Sequence, residues 1–434
     1  MNSKLQQILF RLVLLLLFLP VFQNFFEFSK PLPLCGFFEP VSNPTWKLEN
    51  WMSTTYQQGK DQYLKQNFGF ASDMVRLRNS WIFSVYGESN NDHITVGKDQ
   101  HIFESLYIRD YLGQDSINKE QLYERIQMLR EIQQAFKQRG KAFMLVIAPS
   151  KAYYYQDHIP SHFVKTGSTC YEYCLKTLKE QQVDFFDVNS WFMDIKDSVE
   201  YPLFPQTGTH WSMYGLSVFG DSLLQKIDLV LNKDIPEVIW DSIKTSPTPI
   251  RIDRDIEPLL NLGFDIPTYT NAYPQLKYNL KHKYKPSVLS IGDSFYEMFY
   301  CTDIPRSTFS YSGYWRYNTK VYPEKIPRKD SDIELVKGVD LVLLLSTTSN
   351  LKNLGWGVIE ELHDYLFIPK AQRVQKKLKK LQDKIRNNSD WFASVQEKAQ
   401  KRRISVDSML YIDALYMLRQ DDQKALEHLQ KHAL

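Results

Sequence analysis

The run Ile291–Gly292–Asp293–Ser294–Phe295 sets a serine directly after an apolar segment, Ser287 to Ile291, that reads as a strand. Ligands of a parallel sheet sit in the crevice beyond the carboxyl ends of its strands, so a strand ending in Gly-Asp-Ser carries its serine into that crevice. A hydroxyl there is a candidate nucleophile toward an acyl carbon. Gly292 permits the tight turn, and a helix starting at Ser294 would offer N–H groups to an oxyanion. The same residues also suit a serine that caps a helix and does no chemistry.

A serine nucleophile needs a base, and the chain has nine histidines. His210 stands out because its loop, Phe204 to Ser212 (FPQTGTHWS), precedes a capped helix and falls at the same carboxyl edge. His101, His158 and His363 lie in ordinary turn or helix sequence, and a packed loop histidine fits the Thr-His-Trp context of His210 as well. Lys151 closes a Pro-Ser-Lys segment at the end of another strand, where it either meets a ligand or is a solvated loop lysine. Trp211, Tyr314, Trp315 and Tyr317 are available for stacking, with core packing the alternative for each. No two histidines sit at metal-ligand spacing with nearby acids, and there is no P-loop or GxGxxG, so neither a metal nor a nucleotide cofactor is expected. The four cysteines, Cys35, Cys170, Cys174 and Cys301, form no CxxC pair.

These residues need elements to hold them. Leu122, Ile126, Leu129, Ile132 and Phe136 make one helical stripe over Lys119–Arg139, and Gly140 follows as its cap. Ala142–Ala148 is a continuous apolar run, the pattern of a strand buried on both faces. A helix near Thr169–Glu180, a strand Val183–Val188, a helix from the Ser212 cap to about Leu231, and strands Ser287–Ile291 and Val339–Leu345 complete the alternation. Strands separated by helices predict an α/β fold, a mainly parallel sheet flanked by helices. A short hairpin is expected around Gly97–Lys98–Asp99.

The ends differ from this body. Residues 8 to 28 (ILFRLVLLLLFLPVFQNFFEF) approach the length of a bilayer-crossing helix, with Lys4 and Arg11 on the amino-terminal side. No small-x-small cleavage site follows, so an uncleaved signal anchor with an exported body is expected, a cleaved signal peptide being the rival. Residues 370–403 hold 12 Lys and Arg against 3 acids. Val374, Leu378, Leu381 and Ile385 form a stripe among them, the pattern of a solvated helix packed on the body or of a contact with anionic lipid or acidic glycan. The net charge of +3 gives no argument for nucleic acid.

Taken in order, the motifs resemble the SGNH-like acetyltransferases of exopolysaccharide modification, the AlgX/AlgJ-like type. The resemblance runs over roughly residues 60 to 350. It takes in the Arg76–Asn79 region, Val96 to Asp99 with Phe103, and Val146 to Lys151 leading to Pro160. It continues through Gly208 to Ser212 and Ile291 to Phe295, ending with the late strand carrying Asn350. The histidine block precedes the serine block, a permuted order relative to ordinary SGNH esterases. The resemblance implies an SGNH-hydrolase-like domain over 91–369 between an anchor (1–30), a lead-in (31–90) and a basic helical tail (370–434). It implies acetyl transfer to hydroxyls of a cell-envelope or secreted polysaccharide, with Ser294 as nucleophile and His210 as general base. Beside these, Gly292 shapes the turn at the oxyanion, Asn350 is either a donor to it or a turn cap, and Lys151, Trp211 and Trp315 are the candidate glycan contacts named above. No cofactor is implied. The partner would be a membrane-bound acyltransferase of the MBOAT type, and the location the outer face of the inner membrane.

Two departures bear on activity. The family pattern has an Asp two residues before the histidine, where this chain has Gly208. Three readings stay open: another carboxylate replaces it, Asp187 and Asp194 being the nearest in sequence; a Ser–His dyad suffices for slow chemistry; or the chain is a catalytically weakened glycan-binding partner. Ser346 to Asn350 also replaces a more charged segment. An esterase or deacetylase with water as acceptor uses the same two residues and stays open.

Overall fold

The computed structural model describes residues 3–30, 32–36 and 39–418. Eleven strands occur among them. In chain order these are β1 (Ile94–Val96), β2 (Ile102–Glu104), β3 (Ala142–Ala148), β4 (Phe185–Asp187), β5 (Glu237–Ser246), β6 (Asn271–Asn279), β7 (Ser287–Gly292), β8 (Tyr311–Arg316), β9 (Lys320–Tyr322), β10 (Ile326–Pro327) and β11 (Leu341–Thr347). Seven of them make the central sheet, in the order β10-β9-β8-β7-β11-β3-β4. From β8 to β4 the pairing is parallel, and β9 and β10 add an antiparallel edge.

The apolar runs explain the middle of this sheet. Every residue of β3 and β11 is buried, as expected of strands covered on both faces. One face packs against the helices Met213–Leu231 and Ser294–Tyr300 through Trp211, Phe219, Phe295 and Phe299. The other packs against Lys119–Lys137, Cys170–Glu180 and Val358–Phe367 through the predicted stripe of Leu122, Ile126, Leu129, Ile132 and Phe136. The result is a three-layer α/β domain with its sheet between helices.

Three elements differ from the sequence expectation. β4 is shorter than Val183–Val188, because Asp187 turns out of the strand and caps the helix Val188–Ile195 by accepting from Ser190 N. The edge formed by β8, β9 and β10 was not expected; Tyr314 and Trp315 belong to it and point into opposite core layers. β5 and β6 form a separate antiparallel pair whose connection, residues 247–270, bonds to the segment 207–213.

That connection is held from the amino-terminal side. Ile256, Leu260 and Ile266 share a small core with Phe83 of the helix Ala71–Tyr86 and with Ile94, Val96 and Ile102. Asn79 Nδ2 donates to Leu260 O (2.8 Å), and Asn261 exchanges hydrogen bonds with the backbone of Cys35 (2.7 and 2.9 Å).

The helix Ser3–Phe26 contains 23 residues, Lys4 to Phe26, long and apolar enough to cross a membrane. At the other end, the helices Lys370–Arg386 and Ser389–Arg402 and the helical residues 406–418 share their own core of Ile385, Val395, Ala399, Met409, Leu410 and Ala414. The stripe expected to pack on the body therefore packs mainly within the tail, with Leu378 and Leu381 against that core. Residues 419–434 of the expected tail lie outside the described residues.

Candidate active site

β7 ends at Gly292 between β8 and β11, which brings Ser294 to the carboxyl edge of the sheet. A Cβ at Gly292 would stand 2.7 Å from Tyr296 Cβ and 3.2 Å from Leu345 O, so only glycine lets the turn close this tightly. Asp293 is fully buried and caps the helix Ser294–Tyr300 by accepting from Phe295 N (3.1 Å). Its other oxygen accepts from Thr347 N and from Asn350 Nδ2, both at 2.8 Å. Burial pushes the Asp293 carboxyl above the ordinary carboxylate range, and these donors oppose that shift.

The His210 loop arrives from the neighbouring segment. Ser212 Oγ accepts from Gly215 N (2.9 Å) and starts the helix Met213–Leu231, as its position in the sequence predicts. His210 Nε2 then lies 2.9 Å from Ser294 Oγ, within the reach a base needs to take the hydroxyl proton. Its Nδ1 contacts the Asp255 carboxylate, whose other oxygen accepts from Thr209 N (2.8 Å). Serine, imidazole and carboxylate are thus in line, with the imidazole oriented from behind.

Asp255 is neither of the acids nearest in sequence. Asp187 is spent on its helix cap and on Tyr171 Oη (2.8 Å), across the sheet at β4. The reason the carboxylate comes from elsewhere is visible at position 208. A Cβ there would stand 2.4 Å from Ile252 O and 2.8 Å from Pro205 Cγ. The turn Arg251–Arg254 lies flush against the histidine loop and occupies the space an Asp at 208 would need. Further bonds lace the two segments: Thr207 Oγ1 to Asp253 O (3.1 Å), Met213 N to Asp253 Oδ1 (3.0 Å) and Glu257 N to Thr207 O (3.2 Å).

Four expectations need correction. Lys151 is 1% exposed and cannot reach a glycan; its ammonium donates to Ile102 O, Gln206 O and Gly208 O at 2.6 to 2.8 Å. All three N–H groups are used, and they pin β2 to the histidine loop. Burial pushes its pKa well below the usual lysine value, against the attraction of Asp255 and Glu104. Trp211 is 0% exposed and stacks on Phe219 (4.4 Å) in the core. Trp315 is equally buried under the Arg328 guanidinium, 4.1 Å from its ring. Asn350 is unavailable to an oxyanion, because its amide hydrogens go to Asp293 Oδ2 and Thr347 Oγ1 (3.0 Å). The other candidate histidines, His101, His158 and His363, are structural in their contacts. His101 stacks on His158 (3.9 Å), with burial driving its pKa down to about 3, and His363 bonds Glu131 (2.6 Å).

Sequence reasoning missed Asp255, which sits in a polar stretch with no periodicity to mark it. It also missed Glu104, whose half-buried carboxyl feels His210 and Asp255 and is raised mainly by burial.

A family profile described as "SGNH hydrolase-like domain, acetyltransferase AlgX" matches residues 94–234, a span that contains His210 and ends before Ser294. No curated protein matches the sequence. Among solved structures, the chain is similar to the O-acetyltransferase domain of Pseudomonas putida AlgJ (16% identity, 63% of this chain and 100% of that one, TM-score 0.43). It is also similar to Pseudomonas aeruginosa AlgX (11% identity, 66% and 69%, TM-score 0.40) and to Bacillus cereus PatB1 (12% identity, 61% and 99%, TM-score 0.39). Over residues 94–234, therefore, the sequence is similar to the SGNH hydrolase-like domain of the acetyltransferase AlgX.

Proposed function

We propose that this protein transfers acetyl groups to hydroxyls of a polysaccharide outside the cytoplasm, using Ser294, His210 and Asp255. One observation carries the reading: the imidazole lies between a serine hydroxyl at 2.9 Å and a carboxylate, at the carboxyl edge of a parallel sheet. Such a set serves acyl transfer, and a glycan-binding scaffold has no use for it.

In the first half-reaction, Ser294 Oγ attacks the acetyl carbon of the donor while His210 Nε2 takes the hydroxyl proton. The carbonyl pair moves onto oxygen. Collapse of this adduct expels the donor's leaving group, which receives the proton from Nε2, and leaves Ser294 acetylated. In the second, a sugar hydroxyl gives its proton to Nε2 and attacks the acetyl carbon. The ester to Ser294 breaks, and Oγ recovers the proton. Asp255 holds Nδ1–H throughout, fixing the tautomer and steadying the imidazolium.

The apolar helix Lys4–Phe26 would tether this domain to the inner membrane with its body facing outward, beside a membrane acyltransferase that delivers the acetyl group. The test is turnover of an activated acetyl ester, with and without an oligosaccharide acceptor, by the full chain and by Ser294→Ala and His210→Ala. Both changes should abolish it. Undiminished turnover in either variant removes that residue from the mechanism.

A further inference from the structure

The helix Ala71–Tyr86 packs inward through Phe83 and Asn79, while its opposite side carries Met74, Leu77, Trp81 and Val85. Spacings of 3, 4 and 4 put these four on one stripe of the helix. They are 45% to 66% exposed, and the exposed Arg78 borders them. The apolar residues of this helix thus serve two faces, and only one of them meets the body.

The contacts at the start of the helix show what lies beside it. The turn Phe68–Gly69–Phe70 leading into it rests on the apolar helix Ser3–Phe26. A Cβ at Gly69 would stand 2.1 Å from Pro20 O and 2.8 Å from Gln23 Cβ, so backbone meets backbone there. Gln23 is 5% exposed, and its amide is spent on Ser29, donating to O (2.5 Å) and accepting from N (3.3 Å). Arg76 donates to Leu32 O (3.0 Å) and Pro33 O (2.8 Å), in the chain just past the apolar span. Two turns of the helix are thereby fixed at the end of that span. Pro20 lies six residues before its last residue, Phe26, which is about 9 Å along an α-helix. Helices that lie on a bilayer bury their apolar side about 5–10 Å into the boundary of headgroups and acyl chains. The turn enters at that depth.

We propose that the helix Ala71–Tyr86 lies on the outer leaflet of the membrane, with Met74, Leu77, Trp81 and Val85 seated among its lipids. This rests on the reading that Lys4–Phe26 crosses the membrane. The residue types suit such a surface: Leu, Met and Val supply apolar area, Trp settles at headgroup level, and an arginine stands at the edge of the stripe. The seat also bears on the catalytic set. Phe83 of this helix shares a core with Ile256 and Ile266, in the connection that carries Asp255. Seating the helix on lipid therefore fixes that connection relative to the bilayer.

The test uses the full chain with the exposed Cys35 and Cys301 changed to Ser, reconstituted in vesicles of phosphatidylethanolamine and phosphatidylglycerol. A nitrobenzoxadiazole fluorophore is attached in turn through Leu15→Cys in the span, Leu77→Cys and Trp81→Cys in the stripe, and Lys137→Cys on the exposed side of the body. None of these residues belongs to the catalytic set, so retained turnover of an acetyl ester shows that each variant is folded. At positions 77 and 81 the emission should shift to the blue, lose most of its intensity to nitroxide-bearing lipid, and be spared by aqueous iodide. At position 137 the quenching should be the reverse. Iodide quenching at 77 and 81 equal to that at 137, with position 15 quenched by nitroxide lipid, overturns the seat and leaves the tether standing. Shielding at 77 and 81 from both quenchers would mean that a second copy of the chain covers the stripe, and also overturns it. Failure of nitroxide lipid to quench position 15 overturns the tether itself.

Discussion

Asp255 meets the Nδ1 side of His210 from a segment 45 residues further along the chain, while Ser294 Oγ stands 2.9 Å from the Nε2 side. If Asp255 fixes the tautomer, Asp255→Asn should lower kcat by about 10³ to 10⁴, with the site geometry kept. Adding Gly208→Asp should not restore the rate, because a side chain at 208 collides with Ile252 O. Steady-state turnover of an acetyl ester checks both. A rate within a few-fold of wild type in Asp255→Asn would show that the dyad alone suffices.

Lys151 should behave as a clamp on the histidine loop. Replacing it by Met removes the lysine's bonds to the buried carbonyls of Ile102, Gln206 and Gly208, of which Gln206 O keeps Ile102 N as a donor. The expected loss is about 2–4 kcal/mol of stability in denaturant unfolding, together with reduced kcat. Glycan KM should stay unchanged. A Lys151→Met variant with native stability and raised glycan KM would return this lysine to the substrate surface.

The buried Asp253 gives a pH signature. Desolvation raises its carboxyl to about 7, against the ordinary value of 3.8. Between those values the folded chain holds a proton that the unfolded chain has released, so stability contributed here falls as pH rises through that window and levels off above it. Asp253→Asn retains an oxygen for Met213 N and should flatten this part of the melting-temperature profile between pH 4 and 7. An identical slope in the variant would mean that Asp253 is ionised in the fold.

Trp211 and Trp315 should act through packing. Truncating either to Ala should cost about 3–5 kcal/mol, measured by chemical denaturation, with glycan affinity of the folded fraction unaltered. A variant of native stability that binds glycan more weakly would place that ring at the surface.

How much was legible in the sequence follows from the physics of each element. The continuous apolar runs of β3 and β11 and the stripe from Leu122 to Phe136 announce themselves, because burial on two faces or on one helical face demands such periods. Ser294 and His210 were findable because strand-end and helix-cap residues mark their local positions. Asp255 was not, since its place depends on how residues 247–270 fold over the His210 loop, a tertiary fact with no local signature. Lys151, Trp211 and Trp315 were misassigned for a related reason: side-chain type names the chemistry available but not the face on which it lies. The lysine finds three carbonyls in the interior, where a sequence reading puts it in solvent.

The most direct test of the account is mass spectrometry of the detergent-solubilised full chain after brief exposure to an activated acetyl ester, with the modified peptide sequenced. The account predicts one acetyl group on Ser294, discharged when an oligosaccharide acceptor is added, and strongly diminished in Asp255→Asn. Turnover that leaves Ser294 unmodified, with the acetyl group elsewhere or nowhere on the chain, would contradict it.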